Sequence, residues 1–198
     1  LGASDPSAES LYDPLEPAAT SAMEELRLEG NRIGAAGAVA LADALRVNRR
    51  LTSLSLALNP LGPEGARAIA SALKHNRGLT MLDLGDCGIG EVGAAALGRA
   101  LRGNTVLRSL KLHGNAIGSR GAASIAAALE INPTALRELN MRMNQVDAAA
   151  ATTLLEAVIH AKASPDAAGP GLSSLRLEHS NVLPMRGGAG RAPPAINA

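Results

Sequence analysis

The sequence predicts an α/β solenoid, a stack of strand–helix units in which each unit packs on its neighbours. Three observations predict it. A leucine pattern recurs every 28 residues, each unit begins with an alternating apolar–polar stretch, and each ends in a stretch rich in Ala and Leu with helical periodicity. Repetition at a fixed period is the signature of stacked repeat architectures, because one unit alone cannot bury its apolar face.

The spacing is strict over four units. Leucines and an Asn or Cys recur at matched positions: Leu26, Leu54, Leu82, Leu110; Leu28, Leu56, Leu84, Leu112; Asn31, Asn59, Cys87, Asn115. Stretches such as 51–56, with Leu at 51, 54 and 56, alternate apolar and polar residues, which predicts a short strand with one buried face. The Asn that follows is expected to satisfy backbone groups of a tight turn with its side chain, and stacked copies would form a ladder. Cys87 can do this only weakly, and no His or acid at a suggestive spacing makes it a nucleophile or metal ligand.

The second half of each unit predicts a helix. It begins with a pair of glycines, as at Gly62 and Gly65, and continues with Leu or Ile four residues apart among alanines. The glycine pairs lack the Lys-Ser/Thr of a phosphate-binding loop, so we expect them to serve close packing. An Asn then recurs at the end of each helix, where we expect a left-handed exit conformation: Asn48, Asn76, Asn104, Asn132.

These motifs, read as L-x-x-L-x-L-x-x-N/C-x-I/L-G-x-x-G-A with a 28-residue period, resemble the ribonuclease-inhibitor type of leucine-rich repeat. The resemblance covers about residues 21–183. It implies a right-handed horseshoe or arc with parallel strands on the concave side and helices on the convex side. Function varies widely among such proteins, so the resemblance implies binding but no particular partner.

The chain divides into three parts. Residues 1–20 are rich in Ser, Ala and Pro and form either a lead-in or an N-terminal cap, in which Leu11, Tyr12 and Leu15 would cover the first repeat. Residues 21–183 form the repeat domain of about six repeats, although the pattern loosens after residue 130. Residues 184–198 are rich in Gly, Pro and Ala and are expected to be a flexible tail.

Composition limits the function. The formal net charge is +1 with acids and bases interspersed, which disfavours a nucleic-acid partner. No apolar run reaches the length of about 20 residues that a membrane helix needs, so membrane insertion is not expected. One Cys and no allowed Asn-x-Ser/Thr acceptor favour a cytoplasmic location.

No motif for chemistry stands out. The four histidines show no metal-ligand spacing, and we find neither a nucleophile motif nor paired carboxylates. We therefore expect no enzyme activity, no catalytic residue, no cofactor and no metal site.

The predicted site is the concave face. If the strand leucines point inward, the residues between them point out toward a partner. The candidate partner-binding residues are Arg27, Glu29, Asp83, Lys111, His113, Glu138, Asn140, Arg142, Arg176 and Glu178. This face has mixed charge and lacks the Trp and Tyr that anchor tight interfaces, so we expect modest affinity, with the solenoid edges or flanks as an alternative contact.

The sequence therefore predicts a non-catalytic protein–protein interaction module, a segment of a larger intracellular scaffold or multi-subunit assembly such as a cytoskeletal or ciliary one. Its partner would be another protein, which includes a second copy of this chain. Two alternatives come from the resemblance: a small-GTPase regulator of the Ran-activating type, and the ligand-sensing repeat end of a nucleotide-binding receptor. The first has an acidic segment after its repeats where this chain has basic residues, and the second needs an ATP-binding module of which residues 1–20 show no trace.

Overall fold

A computed structural model describes residues 23–132, 136–163 and 171–178. Strands and helices alternate along these residues: β1 (Glu25–Arg27), α1 (Ala35–Val47), β2 (Ser53–Ser55), α2 (Gly62–Leu73), β3 (Met81–Asp83), α3 (Gly90–Leu101), β4 (Ser109–Lys111), α4 (Gly118–Ile131), β5 (Glu138–Asn140), α5 (Ala148–Ala163) and β6 (Ser174–Arg176). The predicted lead-in or cap at residues 1–20 and the tail at 184–198 lie outside the described residues. Among those described, no helix combines the length and the apolar character needed to cross a membrane.

The strands form one parallel sheet in chain order, β1 to β6, which confirms the predicted α/β solenoid. The register pairs equivalent leucines across the sheet, for example Leu54 with Leu82 and Leu82 with Leu110. The fifth unit has one extra residue, but Leu110 still pairs with Leu139. Parallel strands lie about 4.8 Å apart and packed helices about 8–10 Å apart, so the stack curves with the strands on its inner, concave side.

A single apolar core separates the sheet from the helices. Leu54, Leu82, Leu110 and Leu139 each expose 1% or less of their surface. Helix residues such as Ile69, Leu97 and Ile125 are equally buried and cover these leucines from the convex side. Burial of each such side chain contributes about 1.5–3 kcal/mol, which makes the leucine spine the main source of stability.

The asparagines at the strand exits form the predicted ladder. Asn59 donates from Nδ2 to the carbonyl oxygens of Leu28 and Leu56 at 2.7 and 2.9 Å. Its Oδ1 accepts from the backbone N–H groups of Asn31 and Ile33, both at 2.9 Å. One side chain therefore joins two repeats, and the ladder holds the ends of the strands in register.

Cys87 occupies the ladder position of the third repeat. Its Sγ donates to the carbonyl oxygens of Leu56 and Gly85 at 3.2 and 3.3 Å. Burial raises the pKa of this thiol to about 11, so it is neutral at physiological pH and suited to packing rather than nucleophilic attack.

The asparagines at the helix ends act differently from our expectation of a left-handed exit. Asn48 has φ −70° and ψ 127°, and Asn132 has φ −130°, so the predicted conformation was wrong at both. These asparagines stabilise the loops through side-chain hydrogen bonds instead. The side chain of Asn76 donates to the carbonyl oxygen of Leu45 at 2.7 Å and accepts from the N–H of Leu79 at 2.7 Å. Such bonds form a second ladder, at the N-terminal ends of the strands.

The glycine pairs serve packing, as predicted. The second glycine of each pair lies against the preceding helix. A Cβ added to Gly65 would lie 3.0 Å from the Cβ of Ala38, and one added to Gly93 would lie 2.8 Å from the Cβ of Ala66. The first glycine adopts a positive φ in three units, for example +65° at Gly62. These contacts bring each helix close to the one before it.

Candidate interaction surface

The concave surface consists of the side chains that point away from the core in β1–β6, together with the second residue after each strand. It has three parallel columns because adjacent strands are paired without a register shift. All ten predicted site residues lie on it: Arg27, Glu29, Asp83, Lys111, His113, Glu138, Asn140, Arg142, Arg176 and Glu178. The fold thus brings together residues that are up to 151 positions apart in sequence.

The N-terminal half of this surface contains a shallow hollow of about 240 Å³. It is lined by Glu25, Arg27, Glu29, Ser53, Ser55, Met81, Asp83 and Lys111. The hollow exists because β2 presents only small side chains there, between the longer side chains of β1 and those of β3 and β4. A partner side chain could enter it without displacing the backbone.

The charged groups around the hollow already neutralise one another. Arg27 Nε donates to Glu25 Oε1 at 2.6 Å, and this hydrogen bond raises the pKa of Arg27. The Ser55 hydroxyl donates to Glu29 and lowers the pKa of that carboxyl group. Lys111 Nζ lies 3.4 Å from Asp83 Oδ2. The Arg27–Glu25 pair is solvent-accessible, so exchanging one of its partners for an external charge costs little, whereas Asp83 is largely enclosed beside Lys111.

His113 marks the middle of the surface. Its ring lies directly over Gly85, where any Cβ would collide with the imidazole atoms. The Nε2 atom is 3.6 Å from Asp86 Oδ2, and the Asp86 carboxylate in turn lies over Gly114. Sequence reasoning missed Asp86, since it lies in the turn after β3 with a positive φ of 52° rather than in a strand column.

The C-terminal half forms a second cluster. Ser109 Oγ donates to Glu138 Oε2 at 2.9 Å, Arg142 Nε lies 3.3 Å from Glu178 Oε2, and Asn140 Oδ1 accepts from the N–H of Arg142 at 3.2 Å. Arg176 is exposed beside this cluster. Glu25 and Ser109 are not among the ten candidate residues, although they bind the candidates Arg27 and Glu138.

The arrangement is suited to recognition by charge and hydrogen bonding. Within the residues that the structure describes, no three His, Cys, Asp or Glu side chains are grouped so that they could hold a metal ion. The exposed atoms are carboxylates, guanidinium groups, an ammonium group, an imidazole and hydroxyl groups. They form paired charges of both signs, which favours orientation of a polar protein surface.

Comparison with known proteins agrees with this architecture. A family model described as "Leucine Rich repeat" matches residues 22–42, 47–70, 75–98 and 103–126, one segment for each of the first four units. The chain therefore contains leucine-rich repeats over residues 22–126. None of the curated proteins compared with it matches.

Two solved structures show what the chain resembles. The "Leiomodin-1 Actin-Binding Site 2 (ABS2)" is 26% identical, with a TM-score of 0.62 over 71% of this chain and 81% of that one. The tropomodulin C-terminal domain of Caenorhabditis elegans is 16% identical, with a TM-score of 0.61 over 73% of this chain and 87% of that one. At 16% identity the second likeness concerns the fold alone. The repeats and the first likeness support a protein-interaction module.

Proposed function

We propose that this chain is a non-catalytic module that binds an actin-type protein in a cytoskeletal assembly. One observation carries the proposal: the repeat stack is similar in sequence and in fold to a leiomodin-1 segment that is itself an actin-binding site. The pre-paired charges of the concave surface support it, because they can orient a polar partner without a deep apolar pocket.

Three finer statements belong to the same proposal. The module is part of a larger scaffold or multi-subunit assembly, which fits a stack of repeats that presents a polar concave surface. It works in the cytoplasm, where the neutral, buried thiol of Cys87 is compatible with reducing conditions. Its repeats are of the ribonuclease-inhibitor type, as the 28-residue period and the helix of 12 residues in the second and third units suggest.

Direct binding to purified monomeric actin tests the proposal. We expect saturable binding with a micromolar dissociation constant, given the absence of Trp and Phe anchors. Lys111→Ala should weaken it by about three- to tenfold, since an exposed charged contact contributes about 1 kcal/mol. The measurement is the change in fluorescence anisotropy of labelled actin at several protein concentrations.

Arg67→Ala is the matched control, because Arg67 is an exposed cation of α2 on the convex side. Both variants should melt at the wild-type temperature, since neither side chain is in the core. No detectable actin binding by the wild-type chain would end the actin proposal. Equal weakening by both substitutions would contradict binding of actin at the concave surface.

A further inference from the structure

A row of positive charge follows the edge of the solenoid where helices end and strands begin. We name as the basic edge the cations of the last turn of α1 and of the loops after α1, α2 and α3: Arg46, Arg49, Arg50, Lys74, Arg77 and Arg102. They are six of the chain's 19 Lys and Arg residues, and residues 46–50, 74–78 and 102–106 contain no Asp or Glu. All six are exposed, so this edge is strongly positive although the chain as a whole is nearly neutral.

The repeat places these cations in register. Arg46, Lys74 and Arg102 occupy equivalent positions 28 residues apart, as do Arg49 and Arg77. In the fourth repeat the first of these columns ends at Glu130. The basic edge is therefore three repeats wide and has a definite limit.

The loops that carry the cations are rigid. Asn76 Nδ2 donates to the carbonyl oxygen of Asn48 at 3.0 Å, and Asn104 Nδ2 donates to that of Leu73 at 2.7 Å. A Cβ at Gly78 would lie 2.8 Å from the carbonyl oxygen of Arg49, so these loops touch backbone to backbone. A partner that binds here would not need to order the loops first, which removes one cost of binding.

Part of this charge has a structural role. Cations near helix C-termini interact favourably with the helix dipole, and Arg49 Nη1 donates to the carbonyl oxygen of His75 at 2.9 Å. Arg46 Nη2 donates to Ser71 Oγ at 3.2 Å. The side chains of Lys74 and Arg102, in contrast, form no hydrogen bond or ion pair with another described residue. Their charge remains available to a ligand.

We infer that the basic edge is a docking surface for an extended acidic segment of a protein partner. Equivalent positions in adjacent repeats are between about 5 and 10 Å apart, since they lie between the strand and helix spacings. Alternate side chains of an extended chain repeat about every 6.6–7 Å, so acids at every second position can reach successive cations. Apart from the imidazole of His75, the edge has no aromatic ring on which bases could stack, which favours a protein over a single-stranded nucleic acid. This surface is separate from the concave surface and goes beyond the proposed function.

The test uses a fluorescein-labelled peptide of alternating glutamate and serine, with anisotropy as the readout. We expect the wild-type chain to bind it and the affinity to fall as salt is added. The double variant Lys74→Gln/Arg102→Gln should bind about tenfold more weakly, because two exposed charge pairs together contribute about that factor. Its melting temperature should lie within a few degrees of the wild-type value, because both side chains are exposed and lose only a weak interaction with the helix dipoles.

The matched control is Arg32→Gln/Arg67→Gln, which removes the same charge from exposed positions off the basic edge. It should change peptide affinity by less than about twofold, as should Lys111→Ala, so this test is independent of the actin experiment. Absence of peptide binding by the wild type, or equal weakening by both double variants, would overturn the inference. So would tighter binding of a DNA duplex or of phosphatidylserine vesicles that is lost in the Lys74→Gln/Arg102→Gln variant.

Discussion

Cys87 shows how a single side chain can weaken an otherwise uniform ladder. Asn115 forms hydrogen bonds with backbone groups of both kinds at its turn, since Nδ2 donates to the carbonyl oxygens of Leu84 and Leu112 and Oδ1 accepts from the N–H groups of Cys87 and Ile89. A thiol replaces only the donor function, and does so weakly. The third repeat therefore has fewer hydrogen bonds at its turn than its neighbours.

Cys87→Asn should stabilise the fold. The new carboxamide can donate to the carbonyl oxygens of Leu56 and Gly85, which the thiol now contacts, and it supplies an acceptor for the N–H of Asn59. We expect an increase of about 1 kcal/mol in the free energy of unfolding, measured by urea denaturation, because a net hydrogen bond contributes about 0.5–1.5 kcal/mol. Cys87→Ala is the control and should destabilise. An asparagine variant less stable than the wild type would show that the thiol's packing outweighs these bonds.

Adjacent helices pack closely against each other because the residues between them are small. A Cβ at Gly98 in α3 would lie 2.5 Å from the carbonyl oxygen of Ser124 in α4. The helix backbones are therefore in direct contact at this point. Close contacts of this kind need the Ala and Gly side chains that are frequent in the helices of the convex layer.

Gly98→Ala should destabilise the fold, although Gly→Ala in a helix usually stabilises it by about 0.5–1 kcal/mol. The added methyl group must push α3 away from α4, and overpacking of this kind costs about 1–3 kcal/mol. Thermal or urea unfolding measures the difference.

Gly103→Ala serves as the comparison, since no atom lies within 4 Å of a Cβ at that position. It should leave stability unchanged or raise it slightly, because it reduces the freedom of the unfolded chain. Equal stability of Gly98→Ala and Gly103→Ala would contradict the backbone contact between α3 and α4 at Gly98.

For the whole molecule, stability should vary along the stack, because each repeat contacts only its neighbours. The central leucines are fully enclosed, whereas Leu26 and Leu175, at the two ends of the described sheet, are only partly buried. At the N-terminal end an apolar cleft of about 110 Å³ opens between Met23, Leu26, Leu41, Leu45 and Leu54, among others. The predicted cap residues Leu11, Tyr12 and Leu15 lie outside the described residues, so covering of this cleft stays a prediction.

Leu110→Ala should cost about 2–5 kcal/mol, as truncation of an enclosed core side chain does. Leu26→Ala removes the same atoms from the equivalent position of the first strand and should cost about 1 kcal/mol, because that side chain keeps part of its contact with solvent. Hydrogen exchange should show the same gradient, with the amides of β3 and β4 exchanging more slowly than those of β1 and β6. Equal costs for the two substitutions would mean that residues before Met23 cover Leu26.

The periodic part of the fold was predictable and the local chemistry was not. The leucine columns predicted the strand–helix units and their alignment, and the resemblance to leucine-rich repeats implied the parallel sheet that the structure has. The asparagines at the helix ends were recognised as structural but assigned the wrong conformation. The spacing of these asparagines does not show whether the fold needs them for a left-handed backbone conformation or for their side-chain hydrogen bonds.

By itself, the sequence determined which side chains point inward, which point outward and how many positions separate equivalent residues, because a strict period leaves only one way to bury every leucine. Only the tertiary structure decided which outward residues meet. The ring of His113 over Gly85 and the contact of Asp86 with His113 depend on how loops and side chains fill space between repeats. Those distances arise from packing across neighbours 28 residues apart, and no local pattern encodes them.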